Sequence, residues 1–184
     1  HLFKGTFTGY GEGFDLEAAP TRLQALIMFI RVLGEEEQAL AWSGTTPFKD
    51  IEKGSQAEHY VGYAYEKGYT NGYTATSFKP AGAVNAYQYT EFVLRAMGYS
   101  SAANKDLSDT LLRAVNAGVL TDGDAAMLQS AAFLRAQLVY ISYYALEADL
   151  PDGSQSLADR LMDLGVFTRD EWRGSWKLVK SDRL

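Results

Sequence analysis

Apolar positions recur at helical spacing in several short segments, and each segment ends at a glycine. Over residues 57–67 the apolar side chains return every three to four residues, which predicts an amphipathic helix, and Gly68 follows it. A second helix is predicted over residues 85–97 and ends at Gly98 in the same way. Glycine directly after a helix favours the left-handed conformation that closes a helix C-terminus. The pattern therefore predicts a unit of helix, glycine, loop, helix and glycine over residues 48–99.

The same order of elements occurs on both sides of this unit. Upstream, Pro20 opens a predicted helix that ends at a glycine, and downstream a predicted helix ends at Gly118. The tetrapeptides Arg31-Val32-Leu33-Gly34 and Arg95-Ala96-Met97-Gly98 match at an offset of 64 residues. Repetition at a fixed period is typical of repeat architectures. We therefore expect a mainly α-helical protein whose three helix-loop-helix repeats occupy residues 1–47, 48–99 and 100–149.

The C-terminal end of this array is predicted to supply the helix that the first repeat lacks. His1-Leu2-Phe3 stands where the middle repeat has its central glycine triplet, so the first repeat lacks its first helix and we expect the chain to start partway through a structural unit. Residues 150–184 contain a short amphipathic helix with Leu157, Leu161 and Leu164, followed by a glycine, which repeats the missing half. We expect this helix to pack against the first repeat and close the array, because an amphipathic face has to be buried. An independent tail is the alternative interpretation.

Composition narrows the class of function. The chain of 184 residues is long enough to bury a core, and it has no apolar run of the about 18 residues that a membrane span needs, so membrane insertion is not expected. Its 17 basic and 23 acidic residues give a net charge of -6, which disfavours nucleic acid as a partner. The absence of cysteine and the presence of only two histidines leave little for disulfides, thiolate nucleophiles or metal sites. Neither a cofactor nor a metal is predicted.

Three other features have simple structural interpretations. Asp122-Gly123-Asp124 is predicted to form a turn, because the further ligands of a calcium loop are missing. Glu35-Glu36-Glu37 is interpreted as a solvated linker between repeats. Trp172 and Trp176 either pack on the repeats or form an exposed interaction patch.

The order and spacing of short motifs resemble the S-layer homology domain, a module that holds bacterial surface proteins on the cell wall. The middle repeat contains segments similar to the family's Phe-x-Asp-Val, Gly-Ile-x-x-Gly-Tyr and Phe-x-Pro motifs, namely Phe48-Lys49-Asp50-Ile51, Gly68-Tyr69-Thr70-Asn71-Gly72-Tyr73 and Phe78-Lys79-Pro80. The family's Thr-Arg-Ala-Glu motif is matched by Thr21-Arg22-Leu23-Gln24 and Leu134-Arg135-Ala136-Gln137. The resemblance implies a pseudo-threefold trefoil or spindle of three helical repeats, with grooves between them and an extra C-terminal helical segment.

The resemblance extends over about residues 2–148 and departs from the family pattern at two places in the middle repeat. Ala86 stands at the arginine position of the helix-opening motif, so this copy lacks a cationic contact. Gly54-Ser55-Gln56-Ala57 lacks the tryptophan that is frequent near the start of the first helix. Fewer than three equivalent grooves are therefore expected.

The resemblance also implies a function and a location. It implies a non-catalytic anchoring module at the bacterial cell surface, part of a larger surface protein, whose grooves bind an anionic and often pyruvylated secondary cell wall polysaccharide. A guanidinium binds a carboxylate bidentately, and Arg22 and Arg135 open their helices, where the helix dipole also favours an anion. The predicted ligand-binding residues are Arg22, Arg135, Thr21, Gln24, Gln137, Asn71, Gly72, Tyr69 and Tyr73.

Each of these residues has a structural alternative. In the alternative interpretation, the two arginines cap their own helices or bridge adjacent repeats. Most of the tyrosines then pack in the core and keep their hydroxyl groups in water. Arg31 and Arg95 are interpreted as structural, because a cation near a helix C-terminus suits the dipole. At the level of function, the first alternative is a protein interaction module of a surface lattice. The second is a wall glycan hydrolase with two working carboxylates, although no acidic pair stands at a recognisable catalytic motif.

Overall fold

A computed structural model describes residues 15–99 and 107–176 of the chain. These two ranges contain nine helices and no sheet, which confirms the predicted mainly α-helical class. The predicted triplet His1-Leu2-Phe3 lies outside the described residues. The helices are α1 (Arg22–Val32), α2 (Glu36–Leu40), α3 (Gln56–Glu66), α4 (Ala86–Met97), α5 (Thr110–Asn116), α6 (Asp122–Ser130), α7 (Arg135–Glu147), α8 (Leu157–Asp163) and α9 (Arg169–Trp176).

Helices α3 and α4, predicted over residues 57–67 and 85–97, begin and end within one residue of those limits. Ser55 and Asn85 are their N-caps, and each side chain accepts the backbone N–H three residues later. The glycines predicted to end helices all have a left-handed backbone, with φ between 72° and 94°: Gly34, Gly68, Gly98, Gly118 and Gly165. The helix-and-glycine pattern read from the sequence is therefore confirmed.

Two segments that we expected to be loops are helical. Asp122-Gly123-Asp124 is the first turn of α6, so the predicted turn is wrong. The reason is a capping box: the Thr121 hydroxyl accepts the N–H of Asp124 at 3.1 Å, and the Asp124 carboxylate accepts the N–H of Thr121 at 2.7 Å. The solvated linker predicted at Glu35-Glu36-Glu37 is also wrong, because α2 begins at Glu36, and the buried Tyr60 and the half-buried Tyr69 donate hydrogen bonds to the Glu36 and Glu35 carboxylates.

The core lies where three long helices meet. Helices α1, α4 and α7 pack against one another in every pairwise combination, and each has a second helix against it: α3 on α1, α5 on α4 and α8 on α7. At the centre the rings of Phe29 and Tyr89 meet edge to face, with centroids 6.1 Å apart. The fully buried Tyr89 hydroxyl shares a hydrogen bond of 2.5 Å with Ser142, which satisfies its polar atom. One long helix with one outer helix is thus found three times.

The C-terminal segment packs on this core at two places. Leu157 and Leu161 of α8 are buried, whereas Leu164, which we expected on the same face, is 67% exposed beyond the end of the helix. Val166 lies against Gly34 at the end of α1, so close that a Cβ added at Gly34 would be 2.6 Å from a Val166 methyl group. The segment therefore contacts both the last long helix and the first one.

Trp172 of α9 packs on the protein. Its ring lies 5.6 Å from that of Tyr143 on α7 and 5.9 Å from that of Phe167, and it is buried. This contact resolves the alternatives for Trp172 in favour of packing. The side chain of Trp176 lies outside the described part of the chain.

Candidate functional site

The predicted motif around Arg22 forms the start of α1. The Thr21 hydroxyl accepts the N–H of Gln24 at 3.2 Å, and the Gln24 side-chain oxygen accepts the N–H of Thr21 at 2.9 Å. This capping box satisfies two backbone groups that a helix N-terminus leaves without partners. Thr21 and Gln24 therefore hold the helix start in shape, and Arg22 is the first helical residue between them.

The start of α1 is docked on the loop that precedes α4. The N–H of Arg22 donates to the carbonyl of Gly82 at 2.9 Å, and the N–H of Leu23 donates to that of Pro80 at 3.2 Å. The N–H of Val84 in turn donates to the carbonyl of Pro20. These bonds join the start of α1 to the Phe-x-Pro segment, and they fix where the Arg22 side chain lies.

The Arg22 guanidinium is a buried cation. The residue is only 3% exposed, and Nε donates to the carbonyl of Phe78 at 2.8 Å. Cζ lies 5.0 Å, 5.3 Å and 5.8 Å from the ring centroids of Phe78, Phe92 and Tyr73. Among the described residues no carboxylate lies within 4.0 Å of the guanidinium. Burial lowers the pKa of Arg22 to about 10, while Tyr73 and Asp50 act in the opposite direction, so the side chain is charged at neutral pH.

Asp50, the acid of the Phe-x-Asp motif, shapes the loop beside Arg22. Its carboxylate accepts three hydrogen bonds: from the Ser77 hydroxyl at 2.7 Å, the Phe78 N–H at 2.9 Å and the Lys79 N–H at 2.8 Å. Desolvation tends to raise the pKa of Asp50, but these hydrogen bonds outweigh it and leave the pKa below its usual value. Asp50 thus holds residues 77–79 in a tight turn in which Lys79 has a left-handed backbone, with φ of 57°.

Tyr73 and Lys79 form the exposed side of this site. Tyr73 is 49% exposed, and the Lys79 ammonium lies 3.6 Å from the centroid of its ring, in cation–π contact. Lys79 was not among the predicted site residues. The signal in the sequence was a cation in the variable position of the Phe-x-Pro motif. The structure therefore brings together Arg22, Tyr73 and Lys79.

Asn71 and Gly72 form the turn that leads into Tyr73. Gly72 has φ of 84°, and a Cβ there would lie 2.3 Å from a ring carbon of Phe48, so the turn requires glycine. Its N–H donates to the Thr70 hydroxyl at 3.1 Å, and Asn71 is exposed beside it. These two residues set the course of the chain towards the site.

The structure places Tyr69 away from Arg22. Its hydroxyl donates to Glu35 at 2.9 Å, just beyond the C-terminal end of α1, whereas Arg22 begins that helix of 11 residues. At about 1.5 Å per residue the two ends are about 16 Å apart. Burial and the neighbouring Glu35 carboxylate raise the pKa of Tyr69, in keeping with a packed tyrosine that keeps its proton.

Arg31 and Arg95, interpreted as structural from the sequence, each bind a carboxylate. Arg31 Nε donates to Glu36 at 2.6 Å, and Arg95 Nε donates to Glu91 at 2.7 Å. Glu91 is 3% exposed and also binds Arg113 and the Thr110 hydroxyl, so it links α4 to α5. These cations have counter-ions, whereas the described residues supply none to Arg22.

The second predicted arginine has the same backbone setting as the first. The N–H of Arg135 donates to the carbonyl of Ala18 at 3.0 Å, and that of Ala136 donates to Leu16 at 2.9 Å. The Gln137 side chain accepts the N–H of Leu134 at 2.9 Å, as Gln24 does at the start of α1. The geometry at the start of α7 therefore repeats that at the start of α1.

The side-chain environment of Arg135 is different. Its Nη1 donates to the carboxylate of Asp15 at 3.2 Å, so this guanidinium has a counter-ion within the chain. At the third helix start, Ala86 opens α4, and Gln88, two residues further, has a buried side-chain oxygen with no partner among the described residues. Within the described ranges, the three helix starts thus present a cation without a carboxylate partner, a paired cation and no cation.

Metal-binding groups and membrane-spanning helices are the two further features that can be assessed in the described ranges. No group of three or more histidine, aspartate and glutamate side chains there is arranged to hold a metal ion. None of the helices in these ranges has both the length and the apolar character required to cross a bilayer.

Comparison with known proteins identifies the class of module. Residues 47–85, from the loop before α3 to the N-cap of α4, match the family model of the S-layer homology domain. Residues 47–85 therefore form an S-layer homology domain, which includes Asp50, Tyr73 and Lys79. Domains of this kind are usually non-catalytic and imply attachment at the cell surface.

A relative supports the same location. A cell surface protein of Thermoanaerobacter kivui is 29% identical to this chain over 170 residues, which cover 86% of this chain and 21% of the relative. The chain thus spans about a fifth of that protein's length. No solved structure shows significant similarity to the chain. Together the domain and the relative locate the chain at the cell surface.

Proposed function

We propose that the chain is a cell-wall anchoring module that binds an anionic, pyruvylated secondary cell wall polysaccharide at the start of α1. The observation that carries this proposal is the buried Arg22 guanidinium, for which the described residues supply no carboxylate within 4.0 Å. A buried charge without a counter-ion is costly, and buried charges in proteins are usually paired. A carboxylate supplied by a ligand provides the missing partner.

The neighbours of Arg22 suit a glycan acid. The ketal carboxylate of a pyruvylated sugar requires cations, and the apolar face of a sugar ring requires an aromatic surface. Lys79 adds a second cation, and the half-exposed Tyr73 ring offers the aromatic surface. The site lies between α1 and the loop of the middle repeat, and the resemblance to the S-layer homology domain implies a ligand between adjacent repeats.

The arrangement of helices supports three repeats around a common centre. In this proposal each unit contributes one long helix: α1 belongs to residues 1–47, α4 to residues 48–99 and α7 to residues 100–149. Residues 150–184 close the array. The mutual packing of the three long helices and the contact between Val166 and Gly34 support this division. The parent protein is then a larger surface protein, of which this module is the part that attaches to the wall.

Calorimetric titration with purified pyruvylated wall polysaccharide tests the proposal. We expect saturable binding by the wild-type protein and its loss in Arg22→Ala, because the unpaired cation is removed. Arg173→Ala is the matched control: it removes one positive charge at an exposed position of α9, and we expect its affinity to be unchanged. Circular dichroism verifies the fold of each variant. An Arg135→Ala variant measures the contribution of the second helix start.

Absence of binding to a chemically verified polysaccharide would overturn the proposal and favour a protein interaction module in a surface lattice. Release of reducing sugar from the polysaccharide would instead indicate a glycan hydrolase.

A further inference from the structure

We propose that one loop position sets the charge of each arginine site, and that the described residues consequently form one anion subsite, from Arg22 and Lys79. At the Arg135 site the equivalent position is occupied by Asp15, whose carboxylate takes the place of the ligand. This inference rests on the proposed function and specifies which site binds the acid.

The equivalence of Lys79 and Asp15 follows from the backbone. The carbonyls that accept from the start of α1 belong to Pro80 and Gly82, and those that accept from the start of α7 belong to Leu16 and Ala18. Both pairs differ by 64 positions, the offset that also relates Arg31 to Arg95. The same offset relates Lys79 to Asp15.

A rare backbone conformation supports this equivalence independently. Lys79 has φ of 57° and Asp15 has φ of 44°, and they are the two non-glycine residues of the described ranges with positive φ. Bulky side chains seldom adopt this conformation. The two loops therefore have the same shape, and they turn the side chain at this position towards the arginine site.

The two side chains give opposite electrostatics. Lys79 and Arg22 both lie near the ring of Tyr73, with Nζ at 3.6 Å and Cζ at 5.8 Å from its centroid. Two cations close to one ring repel each other unless an anion lies between them, so this site favours a carboxylate from outside. Binding there relieves the repulsion and supplies a counter-ion that the described part of the chain does not give to Arg22.

At the other site the anion is already part of the chain. Asp15 Oδ2 accepts from Arg135 Nη1 at 3.2 Å, and the Arg135 side chain is only 12% exposed. A carboxylate tethered in the same molecule acts at a high effective concentration. An external acid has to displace it and also meets its negative charge. Asp15 thus acts as an internal substitute for the ligand and keeps this arginine from binding glycan acids.

Exchange of the charges at the two positions tests the inference. The probe is a monosaccharide that carries one pyruvate ketal, and calorimetry measures the number of sites. The wild-type protein is expected to bind one equivalent. Lys79→Asp is expected to abolish binding, because an internal carboxylate then pairs with Arg22. Asp15→Asn is expected to raise the number of sites to two, and the double variant is expected to bind one equivalent at the Arg135 site.

The substitutions are chosen so that loss of fold does not explain the result. Asparagine and aspartate tolerate positive φ better than most residues, so both variants suit the backbone at their positions. Asp163→Asn removes an exposed negative charge at the end of α8 and controls for net charge; one site is expected. Two sites in the wild-type protein, or a single site in Asp15→Asn, would overturn the inference.

A second measurement separates this inference from the proposed function. Titration with inorganic sulfate is followed through the Nε–H resonances of the arginines. We expect a saturable shift at Arg22 in the wild-type protein and an additional shift at Arg135 in Asp15→Asn. These shifts without polysaccharide binding would support the charge assignment and refute the wall ligand. Polysaccharide binding without a sulfate shift at Arg22 would refute the charge assignment while the proposed function remains.

Discussion

The contact between Gly34 and Val166 predicts how strongly the C-terminal segment is joined to the first long helix. Gly34 ends α1 with φ of 72°, and a Cβ there would lie 2.6 Å and 2.7 Å from the two methyl carbons of Val166. In Gly34→Ala the new methyl group occupies space that Val166 already fills. The variant is therefore destabilised both by an unfavourable backbone conformation and by the displacement of Val166.

A matched glycine separates these two costs. Gly68 ends α3 with φ of 77°, with the same pair of backbone hydrogen bonds, and nothing lies within 4 Å of its added Cβ. Alanine in the left-handed conformation costs about 1–2 kcal/mol, which is the whole expected effect of Gly68→Ala. Overpacking a filled site costs about 1–3 kcal/mol more. We therefore expect Gly34→Ala to lower the free energy of unfolding by about 2–5 kcal/mol.

Urea unfolding followed by far-ultraviolet circular dichroism measures both variants, with Val166→Ala and the double variant Gly34→Ala/Val166→Ala completing a cycle. In the Val166→Ala background, where the Cβ of residue 166 stays 3.2 Å from the added methyl group, Gly34→Ala is expected to lose most of its excess cost over Gly68→Ala. Equal losses for Gly34→Ala and Gly68→Ala in the wild-type background would refute the packing of the C-terminal segment on α1.

Three further predictions concern other parts of the molecule. Arg22→Met is expected to change the free energy of unfolding by less than about 1 kcal/mol, because the loss of the hydrogen bond to Phe78 is offset by removal of a buried charge that no described carboxylate pairs. Urea unfolding measures this change, and a loss above about 3 kcal/mol would contradict the prediction. Burial and the bound Glu36 carboxylate raise the pKa of Tyr60 to about 12. The stabilisation that the protonated Tyr60 hydroxyl gives is therefore complete below pH about 10, the usual pKa of tyrosine, and is lost as the pH rises through 12. Alkaline unfolding of Tyr60→Phe beside the wild-type protein tests whether stability falls in this direction. Gly62→Ala places a Cβ 2.1 Å from the Trp42 indole and is expected to displace the ring into solvent, which a red shift of tryptophan fluorescence detects; an unchanged spectrum would contradict the packing.

The repeated helices could be predicted because their signals are local. Apolar spacing and a following glycine mark α3 and α4 without reference to the rest of the chain, and both lie within a residue of their predicted limits. Helix α6 was missed although its capping box, Thr121 with Asp124, is visible in the sequence. Asp122 and Gly123 disfavour a helix by propensity, and the buried Asp124 is held by the distant Tyr140 hydroxyl, a contact that no local pattern contains.

The candidate site could be predicted only in part for the same reason. The motif match identified Arg22 and Arg135 but could not show that Arg135 binds Asp15 while no described carboxylate pairs with Arg22. That difference depends on loops brought together from 56 or more positions away, as in the bond from Arg22 to Phe78. Tyr69 was grouped with Tyr73 because they are close in sequence, although α1 separates their surroundings.

The mutual packing of α1, α4 and α7, with Val166 resting on Gly34, has a mechanical consequence. In an open stack of repeats the terminal units have one neighbour only and fray first, so a pulling force removes them one after another. Here the last long helix packs directly on the first, and the segment after it packs on the first as well. Tension applied through the C-terminal segment is therefore shared by contacts to two units. We expect the protein to resist load and then to yield in a single step, a behaviour suited to a tether that stays attached under flow.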